Sequence, residues 1–265
     1  MEDGIDFDRP NAARMYDYLL GGAHNFAADR ELAERALAGF PTLRYLAQAN
    51  RGFLRRVVTW CLAQGITQFL DLGSGVPTVG NVHEIALAHT PNARVAYVDF
   101  EPVAVAQATE ILAQLDAPDR EQVTVTRADL RLPETVLDAP GVVGLLDFTR
   151  PVAVLAVAVL HFVDDDLPAI LDAYRARLAP GSIVAISHGT DDSDDPAVAV
   201  AARAVAEAYR DSATPLILRD RTTVAGLLPG LDIVPPGTVD VVDWPHPDPG
   251  AERSSVYASV GRVPE

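Results

Sequence analysis

The amino-acid sequence predicts an α/β fold built on an open, mostly parallel sheet, and three observations predict it. The stretch Phe69-Leu70-Asp71-Leu72-Gly73-Ser74-Gly75 runs an apolar segment into an acid and at once into a glycine turn. Asp99 closes a second apolar segment and Asp129 follows a third, at the spacing of roughly 30 residues that one strand–helix unit occupies. Between them, segments of helical period alternate with strand-like ones, the pattern of a parallel sheet with helices on both faces. Such sheets bind ligands beyond the carboxyl ends of their strands, where these three acids lie.

The elements follow in order. Residues 11–20 read as a helix stopped by Gly21-Gly22, and 27–38 as a second that ends at Gly39 with Pro41 beyond, the usual stop signals. A third helix is expected over 50–63, with Gly65 past its end, before a first strand at 68–72. Helices at 79–89 and 103–115 flank a strand at 94–99, and Pro102 suits a first helical turn. Strands are expected at 122–127, 152–160 and 182–187, with a helix over 167–178. The Val-rich run 151–160 is too short for a membrane span and reads as a buried parallel strand. After Gly189 the pattern changes. An Asp-rich loop at 191–195 leads into an Ala-rich helix at 197–209, and short strands at 232–234, 239–242 and 255–260 predict an antiparallel hairpin at one sheet edge. Residues 1–65 are expected to form an N-terminal helical cap with the first sheet-packing helix. Residues 66–265 form the ligand-binding core, with a second cap helix at about 190–213.

Bulk properties limit the function. A chain of 265 residues, 49% hydrophobic and 22% charged, fills one large core. Its N-terminus, Met1-Glu2-Asp3-Gly4, carries no signal-peptide core. A single cysteine, Cys61, rules out an internal disulfide framework and fits a reducing cytoplasm; it is expected to be a buried core thiol. The net charge of −16 argues against nucleic acid as a partner, because phosphate neutralisation needs a basic surface. All 21 basic residues are Arg, which we read as genome composition.

The glycine turn discriminates between ligands. A dinucleotide fingerprint, G-x-G-x-x-G/A, presents backbone N–H groups to a diphosphate. Here the third glycine position is Thr78, Pro77 removes a donor, and Asp71 adds negative charge. S-Adenosylmethionine reverses each objection, since it has no phosphate and carries an ammonium and a sulfonium. Gly73, Ser74 and Gly75 would let the backbone approach it closely. Asp99, with Phe100 beside it, is placed to accept from both ribose hydroxyls, and Asp129 from the adenine amino group with the Leu130 backbone along the ring.

These motifs carry a specific resemblance. From Asp71-x-Gly73-x-Gly75 through Asp99 and Asp129 to Leu160-His161-Phe162, the chain resembles a class I methyltransferase. More narrowly it resembles an actinobacterial S-adenosylmethionine-dependent methyltransferase family long catalogued as a domain of unknown function. The segments that match are Arg14-Met15-Tyr16-Asp17-Tyr18-Leu19-Leu20-Gly21-Gly22, with Asn25-Phe26 and Asp29-Arg30 after it, then Asn50-Arg51-x-Phe53-Leu54, and lastly the glycine turn continued to Asn81-Val82-His83-Glu84. Pro77 stands where the wider class has a third glycine but suits the narrower family. The resemblance covers nearly the whole chain. It implies a Rossmann-like fold with a mostly parallel seven-stranded sheet, an antiparallel edge hairpin and helical caps, and S-adenosyl-L-methionine as cofactor. It leaves the acceptor unassigned.

The cap residues Arg14, Tyr16 and Gly21 are candidates for closing over the cofactor, with Arg14, Tyr16 or Arg51 meeting its carboxylate. Asn81 and His83, on the helix after the turn, are candidates for the methionine end. A metal site is not expected, because a His-Glu-x-x-His motif would need His at 87, which is Leu87. His161 and His188 follow strands at the functional rim and, with Tyr16, are the candidates for acid–base work. The segment Leu160-His161-Phe162-Val163 lacks the Pro-Pro-aromatic signature of amino-methylating DNA enzymes, and Cys61 is far from the rim, which favours a small-molecule acceptor. Two other readings stay open at this point: a regulatory protein that holds the cofactor without catalysis, and an NAD(P)-dependent oxidoreductase.

Overall fold

The computed structural model describes residues 8–76, 80–193, 195–210, 212 and 214–265. The expected helix start at Val79, the turn residues Pro77 and Thr78, the acidic stretch 1–4 and Asp194 lie outside them.

Three helices, α1 (Ala12–Leu19), α2 (Ala27–Gly39) and α3 (Leu43–Ala63), precede β1 (Gln68–Leu72). There follow α4 (Val82–His89), β2 (Arg94–Asp99), α5 (Pro102–Ala113), the single turn α6 (Ala117–Arg120) and β3 (Val123–Arg127). Two short helices, α7 (Pro133–Leu137) and α8 (Pro140–Val143), lead to β4 (Ala153–Val157), α9 (Leu167–Arg175) and β5 (Ile183–Gly189). The chain ends with α10 (Pro196–Ala208), α11 (Arg221–Ala225), β6 (Asp232–Ile233), β7 (Val239–Asp240) and β8 (Val256–Arg262).

The strand order is β3-β2-β1-β4-β5-β8-β6, with β7 also paired to β8. Strands β1 to β5 are parallel; β8 runs antiparallel between β5 and the two short edge pieces. Seven strand positions therefore hold eight segments among the described residues, because β6 and β7 share one edge of β8. The chain runs from β1 outward to β3 and then returns to place β4 on the other side of β1. A crevice opens at that switch point, above the carboxyl ends of β1 and β4.

Side-chain alternation sorts the sheet into two cores. Leu70, Leu72, Ala96 and Val98 pack with α7, α8, α9 and α11, whereas Phe69, Val95 and Tyr97 pack with α3 and α4. Asp71 shares the face of Phe69 and so points toward α3. A third cluster lies above the rim, where Met15, Leu19, Leu32, Phe40 and Leu43 meet Val205 and Tyr209 from the α10 segment. Helix α3 belongs to both, its first turns in the cap and Phe53 to Leu62 on the sheet. Each fully buried aliphatic or aromatic side chain here is worth about 1.5–3 kcal/mol. Cys61 is one of these core side chains, and burial pushes its thiol up to about 12.

The short helices α6, α7, α8 and α11 are not among the expected elements, and two boundaries shift for physical reasons. Helix α3 begins at Leu43, not Asn50, since Asn50 is an interior residue whose amide joins a buried polar chain. Strand β4 stops at Val157, not Leu160. Ala158 takes a left-handed φ of 57°, its N–H donates to Ser187 Oγ at 2.8 Å, and Leu160–Phe162 closes as a 3-10 turn.

Candidate functional site

A cavity of about 500 Å³ lies between the strand ends and the cap. Its floor is the glycine turn. Gly73 and Gly75 have φ of 66° and 67°, which favour glycine. A methyl group on Gly73 would sit 2.2 Å from Val159 Cγ2, so the turn passes too close to the β4 loop for any other residue. The N–H groups of Gly73 and Ser74 both donate to Val98 O, at 2.8 and 3.2 Å, and that of Gly75 donates to Asp99 Oδ2 at 2.7 Å. The turn thus keeps none of these three donors for an anionic ligand.

Asp71 and Asp99 line the same wall, each 6% exposed. Burial raises Asp71 to about 7, opposed by Arg51 and reinforced by Asp99. Burial likewise raises Asp99 to about 6, opposed by N–H bonds from Glu101 and Gly75. Asp99 Oδ1 accepts from Glu101 N–H at 2.9 Å. A carboxylate has about four acceptor positions, so Asp99 retains capacity for further donors. Asp129, Leu130 and Phe100 also reach the cavity. Asp129 holds the Arg131 guanidinium through Nε at 2.9 Å and Nη2 at 2.5 Å, which lowers its carboxyl below the usual range.

Several residues that the sequence proposes for this site are placed elsewhere. Arg14 is not in the cavity wall. It is 2% exposed, with Nε on Asp29 Oδ2 at 2.8 Å, Nη1 on Glu101 Oε1 at 3.0 Å and Nη2 on Arg9 O at 2.7 Å. It therefore pins the cap to the start of α5. Gly21 also lies outside the wall, in a turn after α1. In that turn Asp17 accepts from His24 N–H and Asn25 Nδ2, both at 2.8 Å. Its neighbour Gly22 is required there, as a Cβ would fall 1.9 Å from Asp17 Oδ1. His83 faces the sheet, its Nδ1 2.8 Å from the Tyr97 hydroxyl, and burial lowers its pKa. Asn81 caps α4 through a capping box with Glu84.

The acid–base candidates are also constrained. Tyr16 lines the cavity, but its hydroxyl donates to Ala47 O at 3.0 Å and accepts from Asn50 Nδ2 at 3.0 Å. Asn50 Oδ1 in turn accepts from Ser187 Oγ at 2.6 Å. Burial holds the phenol above its usual value, so Tyr16 is a fixed part of the wall and no base. His188 does not line the cavity. Its Nδ1 donates to Gly189 O and its Nε2 accepts from Arg219 Nη1, both at 2.8 Å, and burial lowers it to about 4. His161 does line the cavity, and Gly189 N–H donates to its Nδ1 at 3.2 Å. Burial, with His188 and Arg219, holds His161 far below its usual value. The neutral ring must then carry its proton on Nε2, so His161 meets a ligand as a donor.

A family model described as S-adenosyl methyltransferase matches residues 1–264. The chain belongs to that family. A candidate methyltransferase from Thermobifida fusca is 36% identical with a TM-score of 0.89, the match covering 99% of this chain and 98% of that one. A DUF574 family protein from Streptomyces avermitilis is 35% identical with a TM-score of 0.90, covering 98% and 100%. The methyltransferase domain of a bacterial Hen1, at 14% identity and a TM-score of 0.51 over 83% of this chain, shares the fold alone. A search of curated proteins returned no match.

This methyltransferase uses S-adenosylmethionine as its cofactor, and neither the regulatory nor the oxidoreductase reading gains support. Its cavity fits that group, because buried acids without a surplus of cations favour a ligand of positive charge. Sequence reasoning missed Glu101, Arg219 and Tyr209. Glu101 and Arg219 act through partners 87 and 31 residues away, and no local pattern signals such pairs. Tyr209 closes an Ala-rich helix and gave no sign of facing a ligand.

Proposed function

We propose that this methyltransferase transfers a methyl group to a small-molecule acceptor held under its cap. One observation carries the reading: a rim with two buried carboxylates and a glycine turn whose N–H groups are already engaged suits an adenosyl cation and not a diphosphate. In this reading Asp99 accepts from the ribose hydroxyls. Asp129 and Leu130 serve the adenine edge, Asp71 faces the ammonium, and Arg51 faces the carboxylate. When bound, the cofactor supplies an electrophilic methyl group on sulfur. The chain aligns the acceptor with it and excludes water, the main catalytic resource for such a displacement. Residues 1–65 and about 190–213 act as the cap over a core of 66–265. The reading puts the protein in the cytoplasm, which a single cysteine supports because it suits a reducing compartment; no described helix is long and apolar enough to cross a membrane.

Calorimetry tests the cofactor site. S-Adenosylmethionine and S-adenosylhomocysteine should bind, and NAD should not. Binding of NAD alone would overturn the assignment.

The acids also predict a pH dependence. Asp71 near 7 and Asp99 near 6 are partly protonated in the free protein at mildly acidic pH, while a cationic ligand favours their ionised forms. Binding therefore releases protons, and affinity for S-adenosylmethionine should rise with pH between about 5.5 and 7 by up to one log unit per pH unit for each group, then level off. Asp71→Asn should lower affinity and flatten the upper part of this rise. An affinity independent of pH in the native protein would count against the carboxylate roles.

A further inference from the structure

The cavity is divided by charge. Its charged side chains come from strand ends and the loops after them, or, for Arg51, from the middle of α3. The part walled by Phe40, Leu46, Ala202, Val205, Leu216 and Leu218 has no ionisable group except phenols and His161 among the described residues. A charged molecule entering there would lose hydration and meet no ionised side chain on that wall; the charges behind it, Asp29 near Tyr209 and Arg219 near His161, are already held by protein partners.

Of the polar groups lining the cavity, Ser255 Oγ is buried with no hydrogen-bond partner among the described residues, and His161 and Tyr209 bring ring Nε2 and a hydroxyl to the same lining. The latter two can both donate. His161 keeps its proton on Nε2 because Gly189 N–H occupies Nδ1, and burial keeps the Tyr209 phenol neutral. Both rings pack on Phe162, His161 edge-on at 4.3 Å between centroids and Tyr209 stacked at 5.9 Å. Phe162, which lines the cavity too, is thus the common neighbour of both rings. Arg219 sets this arrangement from behind, since it donates to His188 Nε2 and to Leu160 O and Val163 O at either end of the turn that carries His161.

We propose that the cap compartment selects a neutral, largely apolar ring compound as methyl acceptor, and that His161 Nε2–H and the Tyr209 hydroxyl hold an oxygen of that compound. The assignment rests on the cofactor reading above. It excludes amino acids, nucleotides and phosphorylated metabolites as acceptors. His161 and Tyr209 orient the acceptor by donation and do not take its proton: the nucleophilic atom bonds to the methyl carbon as the S–CH3 bond breaks, S-adenosylhomocysteine is the leaving group, and the proton lost from that atom passes to water.

The test uses the full chain saturated with S-adenosylhomocysteine and three probes that share one ring system: 2-naphthol, 2-naphthoate and 2-naphthylmethylammonium. Calorimetry at neutral pH should show 2-naphthol binding at least tenfold tighter than either charged probe. Tyr209→Phe should weaken 2-naphthol about fivefold and leave affinity for S-adenosylhomocysteine within twofold. Leu216→Arg, a change at a half-buried wall position, should shift preference toward 2-naphthoate and keeps the test independent of Tyr209. Equal binding of a charged probe, no binding of 2-naphthol, or indifference to both substitutions would overturn the proposal. Failure of S-adenosylhomocysteine itself to bind would instead overturn the cofactor reading, a result visible before any probe is added.

Discussion

Asp99→Ala should lower the affinity of this methyltransferase for S-adenosylhomocysteine at least 100-fold. In the proposed role the carboxylate accepts two ribose hydroxyls, and hydrogen bonds to a charged group are worth about 1.5–3 kcal/mol each. Losing both removes roughly 3 kcal/mol or more, which is two decades of affinity. A second loss adds to it. Asp99 Oδ2 holds Gly75 N–H and Oδ1 holds Glu101 N–H, so alanine also frees the turn that forms the cavity floor. Asp99→Asn keeps the side chain's shape and one acceptor oxygen, but its NH2 then faces the N–H of either Gly75 or Glu101. It should cost about tenfold in affinity and lower the melting temperature less than alanine does. Binding by Asp99→Ala within threefold of the native protein would refute the ribose role.

Arg14→Met should destabilise the fold by about 3–5 kcal/mol, the typical cost of leaving a buried partner charge uncompensated. The side chain is 3% exposed, and its two acidic partners, Asp29 and Glu101, are 0% and 6% exposed. Methionine fills much of the stem volume, so the loss reports on charge and hydrogen bonding, not on a cavity. Each acid keeps some backbone donors, Asn11 and Phe26 N–H on Asp29 and Ala104 N–H on Glu101. These moderate the cost without replacing a cation. The melting temperature should fall by on the order of 10 °C for a chain of this size. Affinity for S-adenosylhomocysteine at low temperature should change little, because Arg14 does not line the cavity. A large loss of affinity with unchanged melting would restore Arg14 to the ligand.

The contrast between these two residues shows what a sequence makes legible. Asp99 ends an apolar strand, and strand ends of a parallel sheet meet at one rim, so a local pattern placed it beside Asp71 and the glycine turn. Arg14 lies in a motif just as distinctive, but the motif records only that the residue matters. Whether a buried arginine meets a ligand or two acids depends on which helix packs over it, and Glu101 is 87 positions away. His83 failed for a related reason: it follows the glycine turn closely in sequence, yet the helical period turns it toward Tyr97. The expected helix over 50–63 began too late, because the fold buries Asn50 inside α3 between Tyr16 and Ser187.

The order of the strands and the longer helices, the acids at the ends of β1 and β2, the acid just after β3 and the preference for a cationic nucleoside ligand were written in the chain alone, since period, turn chemistry and charge act over a few neighbouring residues. The protonation of the histidines was not. Histidine type says that a proton can be exchanged, but the Gly189 N–H on His161 and the Arg219 guanidinium on His188 decide which nitrogen carries it. Those partners arrive only when β5, the turn after β4 and the loop before α11 come together. That is why tertiary structure, through hydrogen bonds between distant segments, turned two presumed bases into one donor and one buttress.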